Sequence, residues 1–391
     1  MTAQRVQLPD GRWHLQHGPM DIIIGGSGSP TALALAHERA WKRFAMLLDG
    51  LVQELPLLRQ PVRGNVCPLR GPVARRMWEA CMPYQSTFIT PMAAVAGAVA
   101  QELVACYAAS GVQRAWVNNG GDIALYLAAS QSVRVGICAD VTHLRVDGAH
   151  GELLTQGQFE VHSAQPVRGV ATSGWRGRSF SLGIADSVTV LAATAAQADA
   201  AATVIANAVN AQDRRIVRRP AGELKDDSDL GDIAVTVDVP HLEPDVVQRA
   251  LHAGLLRAQA LQAEGLIWSA ALVCQNQTLR VNALEKPVQR NACFAYLAPS
   301  ASALTPALSQ REREPRQTSL QPLQGAMEPR QKSLQSQQGA MEPRQKSLQS
   351  QQGAMEPRQK SLQSQQGARE PRQHISGSLS RAAGEGWGEG A

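Results

Sequence analysis

The chain has 391 residues, 44% of them hydrophobic but only 4% aromatic, and a formal net charge of +5. That length allows one large domain or two ordinary ones, with alanine, valine and leucine filling the interior. Residues 301–391 hold 12 basic and 8 acidic side chains, leaving 26 against 25 before them, so the body of the chain is nearly neutral and is expected not to bind nucleic acid.

Residues 19–26, PMDIIIGG, predict a short strand ending in a glycine turn. Residues 31–58 have helical apolar spacing with a break near Gly50, and 59–74 read as a Pro/Gly/Arg loop. Helices follow over 75–83 and over the small-residue run 92–108. Residues 115–117 and 123–127 flank Asn118-Asn119-Gly120-Gly121-Asp122, the pattern of a hairpin. Strands are expected over 133–139, 167–171, 179–182 and 187–192, and a helix over 194–210. A charged stretch carries Arg214, Arg215, Arg218 and Arg219, then Asp226, Asp227, Asp229 and Asp232. A strand over 233–239, a helix over 244–265 and a hairpin over 266–284 with its turn at Gln275 to Gln277 complete the body. Strands and helices mix without strict βαβ alternation, so the expected class is α+β.

From about residue 300 the composition changes. The unit GAMEPRQKSLQSQQ starts at Gly325, Gly339 and Gly353, with a variant at Gly367. Each copy offers one Leu and one Met, too little apolar area to offset the entropy of ordering. The expected organisation is a folded domain over 1–299 and a disordered repeat tail over 300–391.

Cys67, Cys81, Cys106, Cys138, Cys274 and Cys293 show no C-x-x-C or zinc spacing and read as free thiols in a reducing compartment. The first residues lack a basic-then-apolar targeting pattern, and the apolar run from Pro91 to Ala100 is too short to span a bilayer. The expectation is a cytoplasmic protein with no membrane partner.

Four segments have the residue types that chemistry needs. In the 194–210 helix, Asp199, Thr203 and Asn207 recur at every fourth position and share one face. A carboxylate and a hydroxyl one turn apart are hard oxygen donors suited to Mg2+ with substrate phosphates, although the same spacing suits a polar stripe facing solvent. Thr172-Ser173-Gly174, followed by Arg176 and Arg178, can expose N–H groups to a phosphate, or form a polar turn. Gly120 and Gly121 let a ligand approach the backbone beside Asp122, or simply close a hairpin. The small residues from Pro91 to Gly97 open a helix N-terminus to an anion, or to tight packing.

Their order and spacing resemble the ApbE superfamily, whose best-known members are FAD:protein FMN transferases. The family pattern TSG…SVTV…ADALAT is met here by Thr172-Ser173-Gly174, Ser187-Val188-Thr189-Val190 and Ala198-Asp199-Ala200-Ala201-Ala202-Thr203. The similarity covers roughly residues 19–285. It is closer to a shorter branch reading GPMAAVAGA, ENGGD and CTSSG…SLSFGKAD, against ITPMAAVAGA, VNNGGD and ATSG…SFSLGIAD here. The resemblance implies Mg2+ on Asp199 and Thr203, with a backbone carbonyl of the helix entry within residues 93–96 as a further ligand and Ala96 among the cofactor-binding residues. It also implies a flavin nucleotide, FAD, held by Gly120, Gly121, Asp122, Thr172, Ser173 and Gly174, and an acceptor protein whose threonine receives FMN. Two features depart from the transferases. Their Ala-Lys-Gly is Val95-Ala96-Gly97 here, without the lysine, and their His-Ile-Ile-Asp-Pro loop is reduced to SFSLGIAD. The alternative is therefore a non-catalytic protein that binds a flavin- or pterin-like ligand, or serves in assembly.

Overall fold

A computed structural model describes residues 2–137, 145–146, 153–154 and 157–283. The expected repeat tail, Cys138, Cys293 and the last two residues of the expected 133–139 strand lie outside the described residues.

The chain opens with β1 (Gln4–Gln7), β2 (Trp13–His17) and β3 (Met20–Gly28), then α1 (Pro30–Gln53), α2 (Leu55–Leu58), α3 (Pro72–Cys81) and α4 (Val95–Val104). Next come β4 (Val112–Asn119), β5 (Asp122–Leu127), β6 (Ser132–Ile137), β7 (Arg145–Val146), β8 (Leu153–Leu154), β9 (Gly157–His162), β10 (Gly169–Ser173) and β11 (Ser187–Ala192). The rest are α5 (Ala195–Ala208), β12 (Val217–Pro220), α6 (Ala221–Leu224), β13 (Ala234–Asp238), α7 (Pro244–Ala263), β14 (Ser269–Cys274) and β15 (Gln277–Val281).

Nine strands form one sheet in the order β1-β2-β3-β4-β5-β10-β11-β14-β15, and every neighbouring pair is antiparallel. Helices segregate to one face, as the α+β expectation requires. The alternation of the strands decides which side chains meet them. Ile22, Ile24, Val117, Ala124, Ala171, Val188, Val190 and Leu272 join the main core with the helices, while Leu125, Leu127 and Val170 pack on the other side with Val135, Val161 and Val167.

Central to the helical layer is α5. Ala195, Ala196, Ala198, Ala200, Ala201, Ala202 and Ala206 are all buried along with Ile205 and Gln197, so mostly methyl groups separate it from the sheet, α4 and α7. The Thr194 hydroxyl caps it by accepting from the Gln197 N–H, a contact worth about 1 kcal/mol.

Three expectations are corrected. The first long helix runs through Gly50, because its buried face continues over Phe44, Leu47 and Leu51 while Gly50 meets open space. It stops at Glu54, just before Pro56. The expected strand over 179–182 is irregular, since its backbone is committed to α5 and β13: Leu182 N–H donates to Asn207 Oδ1, and Ser181 O accepts from Thr236 N–H. The expected helix over 92–108 divides into 3-10 turns at Pro91–Ala94 and Ala105–Tyr107 around α4.

Cys67, Cys81, Cys106 and Cys274 are free thiols. Among the described residues no helix is long and apolar enough to cross a membrane.

Candidate functional site

The first turn of a helix leaves N–H groups without intrahelical acceptors. In α4 the capping position is Ala94, whose side chain accepts nothing. Asp199 of α5 fills the gap: its Oδ2 accepts from the Gly97 N–H at 2.9 Å, and the Ala96 N–H also favours its charged form. The approach depends on Gly97. A Cβ there would lie 2.3 Å from the Ala195 carbonyl oxygen. Gln101 returns the contact, its Oε1 accepting from the Ala196 N–H at 3.4 Å in the first turn of α5.

The tip of the β4–β5 hairpin reaches the same place. Asn119 and Asp122 face each other across a two-residue turn, where Gly120 and Gly121 take φ values of 67° and 115°. Such a turn needs residues free to adopt positive φ. Asn119 Nδ2 donates to the Ala96 carbonyl at 3.2 Å, and Asp122 Oδ1 accepts from the Thr172 N–H at 3.1 Å. Arg178 lies across the turn, with Nη2 1.5 Å from where a Gly120 Cβ would stand.

Burial pushes Asp122 up to about 7, against the opposing effects of the Thr172 N–H and the Arg178 guanidinium. Burial also raises Asp199 well above the usual carboxylate range, with the Asp122 charge adding to it and the Gly97 and Ala96 N–H groups only partly offsetting it. Nearby, burial and the charges of Asp199 and Asp229 push the Cys81 thiol up.

The structure sorts the sequence-derived residues. Asp199, Asp122, Gly120 and Ala96 meet at the start of α4, with Gly121 completing the turn. Thr203 follows one turn after Asp199 on the same part-exposed stripe, and Asn207 closes that stripe by accepting from Leu182 N–H (2.9 Å) and Ser181 Oγ (3.3 Å). Thr172 takes part through its backbone alone. It pairs with Thr189, whereas Ala171 pairs with core Val190 and Ser173 with core Val188. Alternation therefore puts the Thr172 hydroxyl on the opposite face, where it lies 2.9 Å from Thr189 Oγ1. Ser173 faces the helices. Gly174 permits the tight return of the 174–186 loop, a Cβ there standing 2.3 Å from the Asp186 carbonyl oxygen. Asp186 fastens that loop through Trp175 Nε1 (3.2 Å), Arg176 Nε (3.0 Å) and the Gln275 N–H (2.6 Å).

The sequence marks the acidic stretch at residues 226–232 but not its partners. The Thr90 hydroxyl, just before Pro91, donates to Asp229, and Arg59 binds Asp227 at 2.8 Å. These partners are separated by 139 and 168 residues, so no local pattern marks them.

The family described as AbpE bacteria matches residues 5–281. A UPF0280 protein of Methanosphaerula palustris is 34% identical over 184 residues, covering 45% of this chain and 72% of that protein. Another from Methanothrix thermoacetophila is 36% identical over 139 residues, covering 35% and 52% respectively. The chain spans about half the length of the first curated relatives it matches. Among solved structures, the apo flavinyl transferase ApbE of Pseudomonas stutzeri is similar over 72% of this chain and 93% of its own, at 12% identity and a TM-score of 0.34. With the match running from residue 5 to residue 281, the chain belongs to the AbpE bacteria family, within the ApbE-like superfamily and beside its UPF0280 proteins.

Proposed function

We propose that the chain binds a flavin nucleotide, FAD, together with Mg2+ where α4, α5 and the β4–β5 hairpin meet, and that its reaction class is transfer of FMN to an acceptor protein. The supporting observation is that Asp199, Asp122 and the first-turn N–H groups of α4 converge where α4, α5 and the β4–β5 hairpin meet. A buried carboxylate, Asp122, whose charge raises the pKa of the neighbouring Asp199 favours a bound cation between them. Among the described residues no group of three or more His, Cys, Asp or Glu could hold a metal ion alone. The donor set therefore suits Mg2+ shared with substrate, with Asp199, the Thr203 hydroxyl and the Ala96 carbonyl as protein ligands. When bound, Mg2+ neutralises charge on pyrophosphate oxygens. The chain's own groups do the rest: Gly120 and Gly121 leave the backbone bare for close approach, Arg178 offers charge-assisted bonds to an anion, and Ser173 turns its hydroxyl to the helical face.

A second reading is binding of a flavin- or pterin-like ligand without transfer. It is favoured by Val95-Ala96-Gly97, which lacks the transferase lysine, and by the short 179–186 segment strapped to Asn207. Incubation with FAD, Mg2+ and a threonine-bearing acceptor protein, with chromatography for AMP and for flavin bound covalently to the acceptor, separates the two. AMP release together with flavinylated acceptor supports transfer, calorimetric FAD binding without either product supports the second reading, and the absence of FAD binding rejects both.

A further inference from the structure

A cleft of about 490 Å3 opens between the β1–β2 turn, the Gly25-Gly26 part of β3 and the start of α1, within the range of roughly 300–1,000 Å3 usual for ligand sites. It shares no residue with the Asp199 cluster. Along the β3–β4 ladder its Gly25–Trp116 pair lies three pairs from Ile22–Asn119, roughly 10 Å at about 3.3 Å per residue.

Its walls are aromatic. Trp13, Trp116 and His37 line it, each part-exposed. Gly25 lets the Trp116 indole lie against the strand, since a Cβ there would stand 2.2 Å from the ring. One face of Trp13 is taken by the Arg5 guanidinium, 5.2 Å from the ring centroid, and Arg5 is itself held by Glu38 at 2.5 Å. Trp13 is thus fixed from one side. The charges at the rim are matched, Arg12 with Asp10 and Arg5 with Glu38. The cleft therefore has no excess charge to spend on an ionic ligand.

His37 supplies direction. Its Nδ1 lies 2.6 Å from the hydroxyl of Tyr107, which is fully buried and must place its proton on an acceptor. Burial, then the Arg5 charge, lowers the His37 pKa and favours the neutral ring. A neutral imidazole that accepts at Nδ1 carries its proton on Nε2. That leaves Nε2–H as a donor on a ring lining the cleft.

We propose that this cleft binds a flat, uncharged heteroaromatic ring, packed on the Trp13 indole on the helical face of the sheet and accepting a hydrogen bond from His37 Nε2. The probes are adenine, pterin and lumichrome, flat rings without phosphate, titrated against the intrinsic tryptophan emission of the full chain in buffer with EDTA. At least one is expected to quench saturably by millimolar concentration. His37→Gln is expected to weaken that binding about tenfold, the size of one lost hydrogen bond. Trp13→Phe, which keeps an apolar ring in place, is expected to weaken it as well, with unchanged far-ultraviolet circular dichroism certifying both variants. Quenching that stays linear for all three rings overturns the proposal, and so does a midpoint that is the same in both variants as in the parent.

Discussion

Asp199 caps a helix that is not its own: its Oδ2 accepts from the Gly97 N–H at 2.9 Å, across 102 residues of sequence. The same carboxylate is held protonated-leaning by burial and by the charge of Asp122. It therefore serves two ends that pull against each other. The cap needs an acceptor, which a neutral amide also provides; a cation site needs the charge.

That separation predicts the behaviour of Asp199→Asn. The amide oxygen keeps the cap, while the ionised group, whose folded pKa is raised, is removed. A raised folded pKa means the stability contribution is intact below the unfolded value and is lost as pH rises through the folded one. In metal-free buffer at neutral pH the variant is expected to melt a few degrees above the parent, a gain of about 1 kcal/mol being worth roughly 2–4 °C for a chain of this size. The difference disappears near pH 3, where Asp199 is protonated in both folded and unfolded chains. Mg2+-dependent FAD binding is expected to be lost. Calorimetry showing undiminished binding in the variant excludes Asp199 as a metal ligand.

Gly97→Ala tests the closeness of α4 and α5. The new methyl meets the backbone oxygen of Ala195 at 2.3 Å, which no rotamer change relieves. Gly120→Ala places its methyl against Arg178, a flexible and exposed side chain, and adds only the strain of a positive φ. The first is expected to cost about 3 kcal/mol or more, the second about 1–2 kcal/mol. Urea denaturation ranks them, and equal losses would show that the helices part easily.

Much of this arrangement is legible in the sequence, and the illegible part has physical causes. The Gly-Gly turn, the β11 run and the spacing of Asp199 and Thr203 are local patterns, and the structure keeps them. The strands β1 and β2 are not, because QRVQ and WHLQH mix polar residues at the sheet margin, where only one side is covered. The break at Glu54 depends on its carboxylate accepting from the Arg70 and Gly71 N–H groups at 2.6 and 2.7 Å, a contact no helical period encodes. The face of Thr172 is fixed by register with β11, and the Thr90–Asp229 contact by a loop arriving from far along the chain.

A second carboxylate gives the opposite pH response. Burial alone would raise Glu102, but hydrogen bonds and charge from Arg76 (2.8 Å) and Arg43 (2.7 Å) hold it below its usual range. A lowered folded pKa contributes stability above the unfolded value, roughly 4.3, and loses it as pH falls through the folded one. Glu102→Gln is expected to destabilise by about 1–3 kcal/mol at pH 7, since it leaves two half-buried guanidiniums without their counter-charge. The gap between variant and parent should narrow steadily below about pH 4. Melting curves that run parallel from pH 7 to pH 3 refute the pairing as a source of stability.

Thr172→Val decides how the Thr-Ser-Gly segment takes part. If the threonine hydroxyl lined the ligand site, its loss would weaken binding by the value of a hydrogen bond, about tenfold. The strand register puts it elsewhere, on the face opposite Val188 and Val190, paired with Thr189. Its N–H, which holds Asp122, survives the substitution because valine keeps the backbone and suits a strand. The expected result is FAD binding within about twofold of the parent, with a stability loss of about 0.5–1.5 kcal/mol from the broken hydroxyl pair. Ser173→Ala, one residue on and facing the helices, is expected to show the reverse: little change in melting and weaker binding. The contrast between adjacent residues isolates the face of the strand as the variable, since both substitutions remove one hydroxyl from the same segment. A tenfold loss in Thr172→Val with none in Ser173→Ala would mean that the ligand lies on the other side of the sheet, away from Asp199.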